Sequence, residues 1–240
     1  MACLRGCDAV LLAGGQGSRL RTLFPDRPKV LVPVNGRPVL EHLVEWLMSY
    51  GVARIVLALG HRHEQVLDHL RRYRPAGCEL VPSVEPSPLG TGGALRLAAE
   101  QVRSDRALVL NADSFTRADL CAFAAFHRQH AAAWSLVLTA CEDASRYALV
   151  ETDDAGAVRR FAGPPSAGRG YINAGLYLAE RPAMLDWIPA GQSVSLEHDV
   201  FPQHGGQGLW GWRGTFPFID IGTPESYRQA AVFMAEAQVA

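Results

Sequence analysis

The chain of 240 residues carries little net charge and no long hydrophobic run. Its 23 Lys and Arg residues are balanced by 24 Asp and Glu residues, which gives a formal net charge of −1. A near-neutral chain has no general electrostatic reason to bind nucleic acid or a membrane, so any anion site must be local. No apolar run reaches the roughly 18 residues of a membrane span, and no apolar leader begins the chain. We therefore expect a cytoplasmic protein with no nucleic-acid partner and no membrane partner.

Cysteines are few and do not form a recognisable pattern. The five cysteines lie at positions 3, 7, 78, 121 and 141, and no C-x-x-C pair occurs among them. An odd number at irregular spacing argues against a disulfide framework. Cys3 and Cys7 lack the partner cluster that a shared metal ion would need. We expect free thiols, which fit a reducing compartment.

Strand and helix patterns alternate through the first half of the chain. Hydrophobic residues make up 48% of the sequence, enough for one well-cored domain. Alternation of this kind predicts an α/β fold with a mixed, mostly parallel sheet covered on both faces. In the second half, strands predominate. Strands are predicted at 8–13, 54–59, 78–84, 107–110, 134–140, 147–152, 158–161 and 171–178, and helices at 38–50, 64–73, 91–102, 117–130 and 224–237.

A glycine-rich loop follows the first predicted strand. It reads AGGQGSRL at 13–20 and continues to Pro28 and Lys29. Three glycines at a strand end let backbone N–H groups turn inward and approach an anion closely. Arg19 and Lys29 add fixed positive charge. The loop therefore has the features that a bound triphosphate needs.

Other interpretations of this loop are weaker. A dinucleotide-binding fingerprint has Gly or Ala where Leu20 stands, and Pro25 and Pro28 prevent the long helix that should follow it. A Walker A loop needs Gly-Lys-Ser/Thr, a tripeptide that the sequence lacks. A purely structural turn requires neither the Arg nor the Lys downstream.

Two aspartates follow apolar segments far apart in the sequence. Asp113 comes directly after the predicted strand at 107–110, and Asp220 lies within FIDIGTP at 218–224. A carboxylate at the carboxyl end of a central strand faces the ligand crevice, and a lone Asp among apolar residues is costly unless it is paired or binds a cation. Two carboxylates together with triphosphate oxygens suit Mg²⁺. The alternative is that Asp113 caps the next helix and Asp220 pairs with an Arg.

Two further segments carry polar groups suited to a base and a sugar. EPSPLGTGGA at 85–94 opens a helix, and its small residues permit close contact with a flat base or an anion. Glu85 is able to accept hydrogen bonds from guanine N1–H and N2–H, although a helix-capping turn is the alternative. Asn173, in YINAGLY at 171–177, both donates and accepts, as a polyol ligand requires.

These segments resemble the signatures of the sugar-1-phosphate nucleotidyltransferases. Residues 14–29 resemble G-G-x-G-[ST]-R-L…P-K, residues 85–94 the segment E-x-P-L-G-T-[AG]-G-A beside the nucleobase, and residues 171–177 the N-x-G segment that contacts the sugar. Residues 195–202 resemble another segment near the acceptor. The Ser-Leu-Glu run and FIDIGTP look most like the D-glycero-D-manno-heptose 1-phosphate guanylyltransferases.

The resemblance implies a Rossmann-like three-layer nucleotidyltransferase fold. It also implies transfer of a nucleoside monophosphate, with GMP favoured, to a sugar 1-phosphate, with D-glycero-D-manno-heptose 1-phosphate favoured. The expected partners are GTP, the sugar 1-phosphate and a second copy in a homodimer. We expect a single domain over 1–240, with the nucleotide-binding half at about 1–130 and the sugar-binding half at about 131–240. A hexose 1-phosphate with another base, an inactive nucleotide-sugar-binding module and a nucleotide-cofactor oxidoreductase stay open.

The same resemblance assigns roles to individual residues. Arg19 and Lys29 are implied to be catalytic, with Arg19 on the β and γ phosphates and Lys29 on the α-phosphate and the incoming sugar phosphate. Asp113 and Asp220 are implied to hold Mg²⁺. The implied nucleotide-binding residues are Ala13, Gly14, Gly15, Gly17, Ser18, Glu85, Gly90 and Thr91, and the implied sugar-binding residues are Asn173, Gly175, Glu197 and Arg169.

The sequence departs from the family pattern at one position that bears on the acceptor. Many members carry Glu-Lys-Pro after the strand that corresponds to 158–161, and the Lys binds the sugar phosphate. This chain reads Ala-Gly-Pro-Pro at 162–165 instead. Arg160 or Arg169 is expected to supply the missing charge. Smaller departures at Thr22, Phe24 and Ala112 remove no catalytic group.

Overall fold

A computed structural model of the chain describes residues 2–15, 17–20, 22–162 and 168–237. The strands in chain order are β1 (Asp8–Leu12), β2 (Pro33–Val34), β3 (Arg37–Pro38), β4 (Arg54–Leu59), β5 (Glu79–Val84), β6 (Arg106–Asn111), β7 (Ser114–Thr116), β8 (Trp134–Cys141), β9 (Leu149–Thr152), β10 (Val158–Ala162), β11 (Gly170–Glu180), β12 (Leu209–Gly214) and β13 (Phe218–Asp220). The helices are α1 (Val39–Ser49), α2 (His63–Arg72), α3 (Gly90–Ala99), α4 (Leu120–Gln129), α5 (Arg181–Trp187) and α6 (Pro224–Ala237).

Within the described residues, nine strands form one mixed sheet. Its main path runs β10-β9-β11-β6-β1-β4-β5, and β8 pairs with both β11 and β12. Strands β6, β1, β4 and β5 are parallel neighbours, whereas β11 runs antiparallel to β6. Two short ladders, β2 with β3 and β7 with β13, lie outside this sheet. The predicted α/β fold with a mixed, mostly parallel sheet is confirmed.

The hydrophobic core lies on both faces of the sheet because side chains alternate along each strand. In β4, Ile55 and Leu57 pack on the face covered by α1, where Leu43 is fully buried. Val56 points to the opposite face, which is covered by α3 through residues such as Leu95. Helices on two faces give the three layers that the sequence predicts.

Most predicted elements form close to their predicted bounds, and the differences have local causes. The helix predicted to begin at about residue 117 begins at Leu120, because the Asp119 side chain caps it by accepting from the backbone N–H groups of Cys121 and Ala122. Helix α5 follows β11 without an intervening loop. No helix in the part of the chain that the structure describes is long and apolar enough to cross a membrane.

The expectation of free thiols is wrong for two of the cysteines. Cys3 and Cys121 form a disulfide whose Cα atoms are 5.6 Å apart, although the residues are 118 positions apart in the sequence. Cys7, Cys78 and Cys141 are free. The pairing depends on the N-terminal segment lying against the start of α4, and no spacing rule in the sequence carries that information.

Candidate active site

A cavity of about 300 Å³ lies at the carboxyl ends of β1 and β6. In an open α/β sheet this edge is where ligands bind, because the loops that follow the strands meet there. The cavity brings together the first glycine-rich loop, the segment after it, the loop that begins at residue 85 and the end of β6. The lining residues are Leu12, Ala13, Gly14, Gly15, Lys29, Val30, Glu85, Pro88, Gly90, Thr91, Ala94, Asn111, Ala112 and Asp113.

The first glycine-rich loop forms one wall of this cavity. A Cβ added to Gly15 would meet no atom within 4 Å, so the backbone there is open to a ligand. Gly17 has a φ of +58°, and a Cβ added there would lie 3.6 Å from Lys29 Cβ. Ser18 begins a short 3-10 turn, Ser18–Leu20, and its side chain lies outside the described part of the structure. The loop is thus open at Gly15 and packed on Lys29 at Gly17.

Lys29 and Asp113 form an ion pair at the edge of the cavity. The Lys29 ammonium donates to Asp113 Oδ2 at 2.7 Å, and the side chains are 14% and 40% exposed. Val30, which follows Lys29 in its 3-10 turn, is buried and anchors the turn. Asp113 does not cap α4, a role that Asp119 fills. The lysine therefore neutralises a carboxylate that would otherwise repel a bound triphosphate.

A two-stranded ladder places Asp220 beside Asp113. Strand β13 pairs antiparallel with β7, so that Asp220 lies opposite Ser114, the residue after Asp113. The backbone N–H of Ile221 donates to the carbonyl oxygen of Asp113 at 2.8 Å. Two aspartates far apart in the sequence therefore occupy adjacent segments at one end of the sheet.

Asp220 pairs with an arginine, as the alternative interpretation of the sequence expects, and it also accepts from donors that the sequence did not indicate. Tyr147 Oη donates to Asp220 Oδ2 at 2.6 Å, and Arg146 Nη2 contacts the two carboxylate oxygens at 3.1 and 3.2 Å. The backbone N–H of Gly222 and the hydroxyl of Ser226 donate to Oδ1 at 2.9 and 3.1 Å. Burial by itself would raise the pKa of Asp220, but these hydrogen bonds and the Arg146 charge outweigh it and lower the pKa. Asp220 therefore carries its charge at neutral pH.

Arg19 lies on the same side as Asp220. A Cβ added to Gly222 would be 3.0 Å from Asp220 Oδ1 and 3.6 Å from Arg19 Nη2, which places the guanidinium beside this segment. Arg19 itself is exposed. The site thus has cationic side chains next to both aspartates, as a reaction between two phosphate-bearing molecules requires.

The two aspartates suit a hard divalent cation. No group of three or more His, Cys, Asp and Glu side chains in the described residues is placed to hold a metal ion. Mg²⁺ needs no such group, because it typically uses one or two carboxylates and takes its remaining ligands from substrate phosphates and water. Asp113 and Asp220 lie on adjacent segments and carry oxygen ligands of the kind that Mg²⁺ prefers.

Glu85 lines the cavity and packs against two glycines. Its Oε2 accepts from the backbone N–H of Leu89 at 2.9 Å. Its Oε1 packs so closely that a Cβ on Gly14 would lie 3.2 Å away and one on Gly60 would lie 2.1 Å away. The carboxylate is therefore fixed in position, and its remaining lone pairs are available to a ligand in the cavity.

The glycines of the second loop pack closely against another segment of the chain, which the sequence pattern does not predict. Cβ atoms on Gly90 and Gly93 would lie 2.5 Å from Val194 O and 2.2 Å from Gln192 O. The backbone N–H of Gly92 donates to Val194 O at 2.9 Å. These small residues let segment 192–196 lie directly against the start of α3. Contact with a ligand is left to the cavity-facing Gly90 and Thr91.

A buried polar network surrounds Glu197. Its Oε2 accepts from the hydroxyls of Thr91 and Ser195, each at 3.0 Å, and its Oε1 accepts from Tyr177 Oη at 2.9 Å. Asn173 Nδ2 donates to the same Tyr177 oxygen at 2.8 Å. Burial, followed by the nearby Glu197 charge, raises the pKa of Tyr177 well above its ordinary value, so the phenol stays protonated. The network joins Asn173 and Glu197 to the helix that carries Thr91.

Gly175 allows β11 to bend beside this network. Its φ is +68°, and a Cβ there would lie 2.8 Å from Asn111 Nδ2. The register between β11 and β8 shifts between Asn173 and Tyr177, which marks an irregularity at this point. Asn111, a cavity residue that the sequence pattern did not single out, is thereby in contact with the predicted sugar-binding segment.

Both arginines that were predicted to replace the family lysine are paired with carboxylates. Arg160 Nε donates to Glu151 at 3.0 Å, and Arg169 Nη2 donates to Glu142 at 2.8 Å. The Arg169 and Glu142 side chains are 78% and 77% exposed. Residues 163–165 of the Ala-Gly-Pro-Pro segment lie outside the described residues.

Comparison with known proteins agrees with this geometry. Residues 8–237 match the protein family described as nucleotidyl transferase. The chain belongs to this family. It is 30% identical over 225 residues to the D-glycero-α-D-manno-heptose 1-phosphate guanylyltransferase of Aneurinibacillus thermoaerophilus, covering 93% of this chain and 96% of that protein. It is 34% identical over 227 residues to the mannose-1-phosphate guanylyltransferase of Mycobacterium tuberculosis, but it spans only 62% of that protein's length.

A solved member of the nucleotidyl transferase family has the same fold. The crystal structure of HddC from Yersinia pseudotuberculosis matches with a TM-score of 0.84 at 30% identity, covering 95% of this chain and 99% of that one. The same protein complexed with GMP-PN matches with a TM-score of 0.83. Enzymes of this family generally depend on a divalent metal ion. The predicted resemblance to sugar-1-phosphate nucleotidyltransferases is confirmed.

Proposed function

We propose that this nucleotidyl transferase joins GMP from GTP to a sugar 1-phosphate and releases pyrophosphate. The observation that carries the proposal is the convergence of Lys29, Asp113, Asp220 and Arg19 at the carboxyl end of the sheet. These side chains come from four separate segments of the chain, and together they form a cluster of two cations and two carboxylates at one end of the sheet. An inactive nucleotide-sugar-binding module would have no use for the complete set.

The chemistry needs positioning and charge neutralisation more than proton transfer. A phosphate oxygen of the sugar 1-phosphate attacks the α-phosphorus of GTP, the bond to the β-phosphate's bridging oxygen breaks, and pyrophosphate leaves with those electrons. The attacking phosphate is already anionic near neutral pH, so no general base is needed. Lys29, at the cavity edge, would neutralise the α-phosphate. Arg19 would neutralise the β and γ phosphates.

A divalent ion completes this scheme. Asp113 and Asp220 would hold Mg²⁺, which when bound supplies positive charge to the phosphate oxygens. Lys29 and Arg146 form ion pairs with these same carboxylates. The residues are thus kept together despite their like charges.

Guanine is favoured as the base because of Glu85. Its fixed carboxylate lines the cavity, and guanine presents two adjacent donors, N1–H and N2–H, that a carboxylate can accept from. Adenine and the pyrimidines lack that pair of donors. The guanylyltransferase names of the two relatives and the GMP-PN complex of HddC support the same choice.

The favoured acceptor is D-glycero-D-manno-heptose 1-phosphate. The heptose relative matches this chain over nearly its whole length, whereas the mannose relative extends well beyond it. Asn173, Gly175 and Glu197 supply the polar groups of the sugar half, at about 131–240, and the nucleotide half lies at about 1–130. Mannose 1-phosphate is the second candidate, because the mannose relative is slightly more identical. We infer that the enzyme is cytoplasmic, because GTP is made in the cytoplasm. A homodimer stays a prediction that sedimentation can test.

A substrate panel tests the proposal. Pyrophosphate release would be measured for four nucleoside triphosphates, each with heptose, mannose and glucose 1-phosphates. We expect the highest kcat/KM for GTP with the heptose 1-phosphate, and a smaller preference for GTP in Glu85→Gln. Equal use of ATP and GTP by the wild type would rule out the guanine assignment. GTP binding by calorimetry without pyrophosphate release from any pair would favour the inactive binding module.

A further inference from the structure

The geometry points to Arg146 as the residue that binds the phosphate group of the sugar 1-phosphate. This inference rests on the proposed function and adds to it the acceptor's anion site. Arg146 lies in the turn after β8, next to Tyr147, and its guanidinium reaches Asp220. Its side chain is 44% exposed, so one side of the guanidinium faces solvent.

Asp220 does not need Arg146 to satisfy its hydrogen bonding. Tyr147 Oη, the Gly222 N–H and the Ser226 hydroxyl already donate to its two oxygens. A half-exposed ion pair adds little stability, typically up to about 1 kcal/mol. Arg146 is therefore poorly explained as a stabiliser of the fold, and its charge is available for another anion.

Four other cations among the described residues, Lys29, Arg19, Arg160 and Arg169, have partners or positions that assign them elsewhere. Lys29 bonds Asp113 at the cavity edge, and Arg19 belongs to the loop that faces the triphosphate. Arg160 pairs with Glu151 and Arg169 with Glu142 on the exposed surface. Arg146 contacts Asp220, as Lys29 contacts Asp113, so each of the two aspartates at this end of the sheet has its own cation. Lys29 has its proposed role at the α-phosphate, and Arg146 is therefore the cation that we assign to the second phosphate.

Arg146 would be free to bind the sugar phosphate once its contact with Asp220 is lost. When Asp220 binds a divalent cation, the guanidinium and the cation repel each other, and the attraction that holds Arg146 on the carboxylate is largely cancelled. A guanidinium can donate two parallel hydrogen bonds to a phosphate group, whereas here a single nitrogen of Arg146 is shared between the two oxygens of Asp220. The phosphate is therefore the better partner. Arg146 thus passes from Asp220 to the sugar phosphate as the two substrates assemble.

The test separates the acceptor phosphate from the nucleotide. In Arg146→Ala, we expect the KM for heptose or mannose 1-phosphate to rise about 10- to 100-fold, the range for a lost charge-assisted hydrogen bond. The KM for GTP should stay within about twofold. Arg146→Lys should recover part of the loss because it keeps the charge. Arg71→Ala, which removes another exposed arginine paired with an aspartate, Asp68, is the matched control and should change neither KM.

A binding measurement gives a second readout that does not require turnover. Mannose 1-phosphate or heptose 1-phosphate would be titrated calorimetrically into protein loaded with GMP-PN and Mg²⁺. In Arg146→Ala the affinity for the sugar phosphate should fall by about the same 10- to 100-fold, because one charge-assisted hydrogen-bonding partner is lost. A normal KM and Kd for the sugar phosphate in this variant would overturn the Arg146 assignment. So would an equal rise in the GTP and sugar-phosphate KM values, because that shows an effect through Asp220. A wild type that transfers nothing would instead refute the proposed function.

Discussion

At the scale of single residues, the site is organised by ion pairs that hold each carboxylate in place. Asp113 is neutralised by Lys29, and Asp220 by Arg146 together with the Tyr147 hydroxyl. Because hydrogen bonds from Tyr147 and Gly222 outweigh the effect of burial, Asp220 has a lowered pKa and stays ionised at neutral pH. Asp220 would therefore bind a cation without first losing a proton.

Asp113→Asn and Asp220→Asn should each lower kcat by about 100-fold or more, the usual loss for a key electrostatic group. The amide keeps the shape of the side chain but loses the charge that would hold Mg²⁺. Steady-state kinetics with increasing Mg²⁺ measures the effect, and circular dichroism checks that both variants fold. Wild-type turnover in excess EDTA would show that the carboxylates have no metal to bind.

At the scale of elements, the strands and helices near the nucleotide followed from their sequence patterns, whereas the contacts between distant segments did not. Strand β4 formed at its predicted bounds because its apolar run is bounded by clear breaks. Strands β7 and β13 have three residues each, too few for an alternation pattern, yet they bring Asp113 and Asp220 together. Helix α5 was not predicted, because it has only 7 residues and follows β11 without an intervening loop.

Residues of the candidate site, too, were predictable within a motif and not across distant segments. Residues that share a segment with a motif, such as Gly15, Lys29 and Glu85, line the cavity as expected. Arg146 and Tyr147 were missed because they reach Asp220 across 74 and 73 positions of sequence. Only a pairing of β7 with β13 and the fold of the turn after β8 bring them there.

Segment 192–196 should make Gly93 intolerant of a side chain. In Gly93→Ala the new Cβ would lie 2.2 Å from Gln192 O, and backbone on both sides has to move. We expect a loss of about 1–3 kcal/mol in the free energy of unfolding, measured by urea titration. Gly15→Ala is the control, since its Cβ meets nothing within 4 Å; it should keep its stability while its KM for GTP rises. Equal stability of the two variants would show that segment 192–196 does not press on α3.

At the scale of the whole molecule, the proposed nucleotide site lies on the parallel part of the mixed sheet, and the proposed sugar site lies on its antiparallel part. Strand β6 belongs to both, because it pairs parallel with β1 and antiparallel with β11. Asn111, at its end, contacts Gly175 of β11 and lines the cavity. Under the proposed function, the two substrates would meet at the end of β6, where Asp113 follows.

The Cys3–Cys121 disulfide closes a long loop, from before β1 to the start of α4. Closing such a loop restricts the unfolded chain, and removal of a native disulfide of this kind typically costs about 2–4 kcal/mol. We expect 5 mM dithiothreitol, or Cys121→Ser, to lower Tm by on the order of 10 °C in a chain of this size. Cys78→Ser, which removes a free thiol, should leave Tm nearly unchanged. The same Tm with and without reductant would mean that the two thiols are not paired in solution.

Transfer of the α-phosphate is the central claim, and a labelled nucleotide tests it most directly. GTP labelled with ³²P at the α-phosphate would be incubated with the protein, Mg²⁺ and heptose 1-phosphate or mannose 1-phosphate, and the products separated by chromatography. The account predicts that the label moves into a GDP-sugar in step with pyrophosphate release, and that the transfer requires both the sugar phosphate and Mg²⁺. Label that stays in GTP, or appears in GMP or GDP whether or not the sugar phosphate is present, would contradict it.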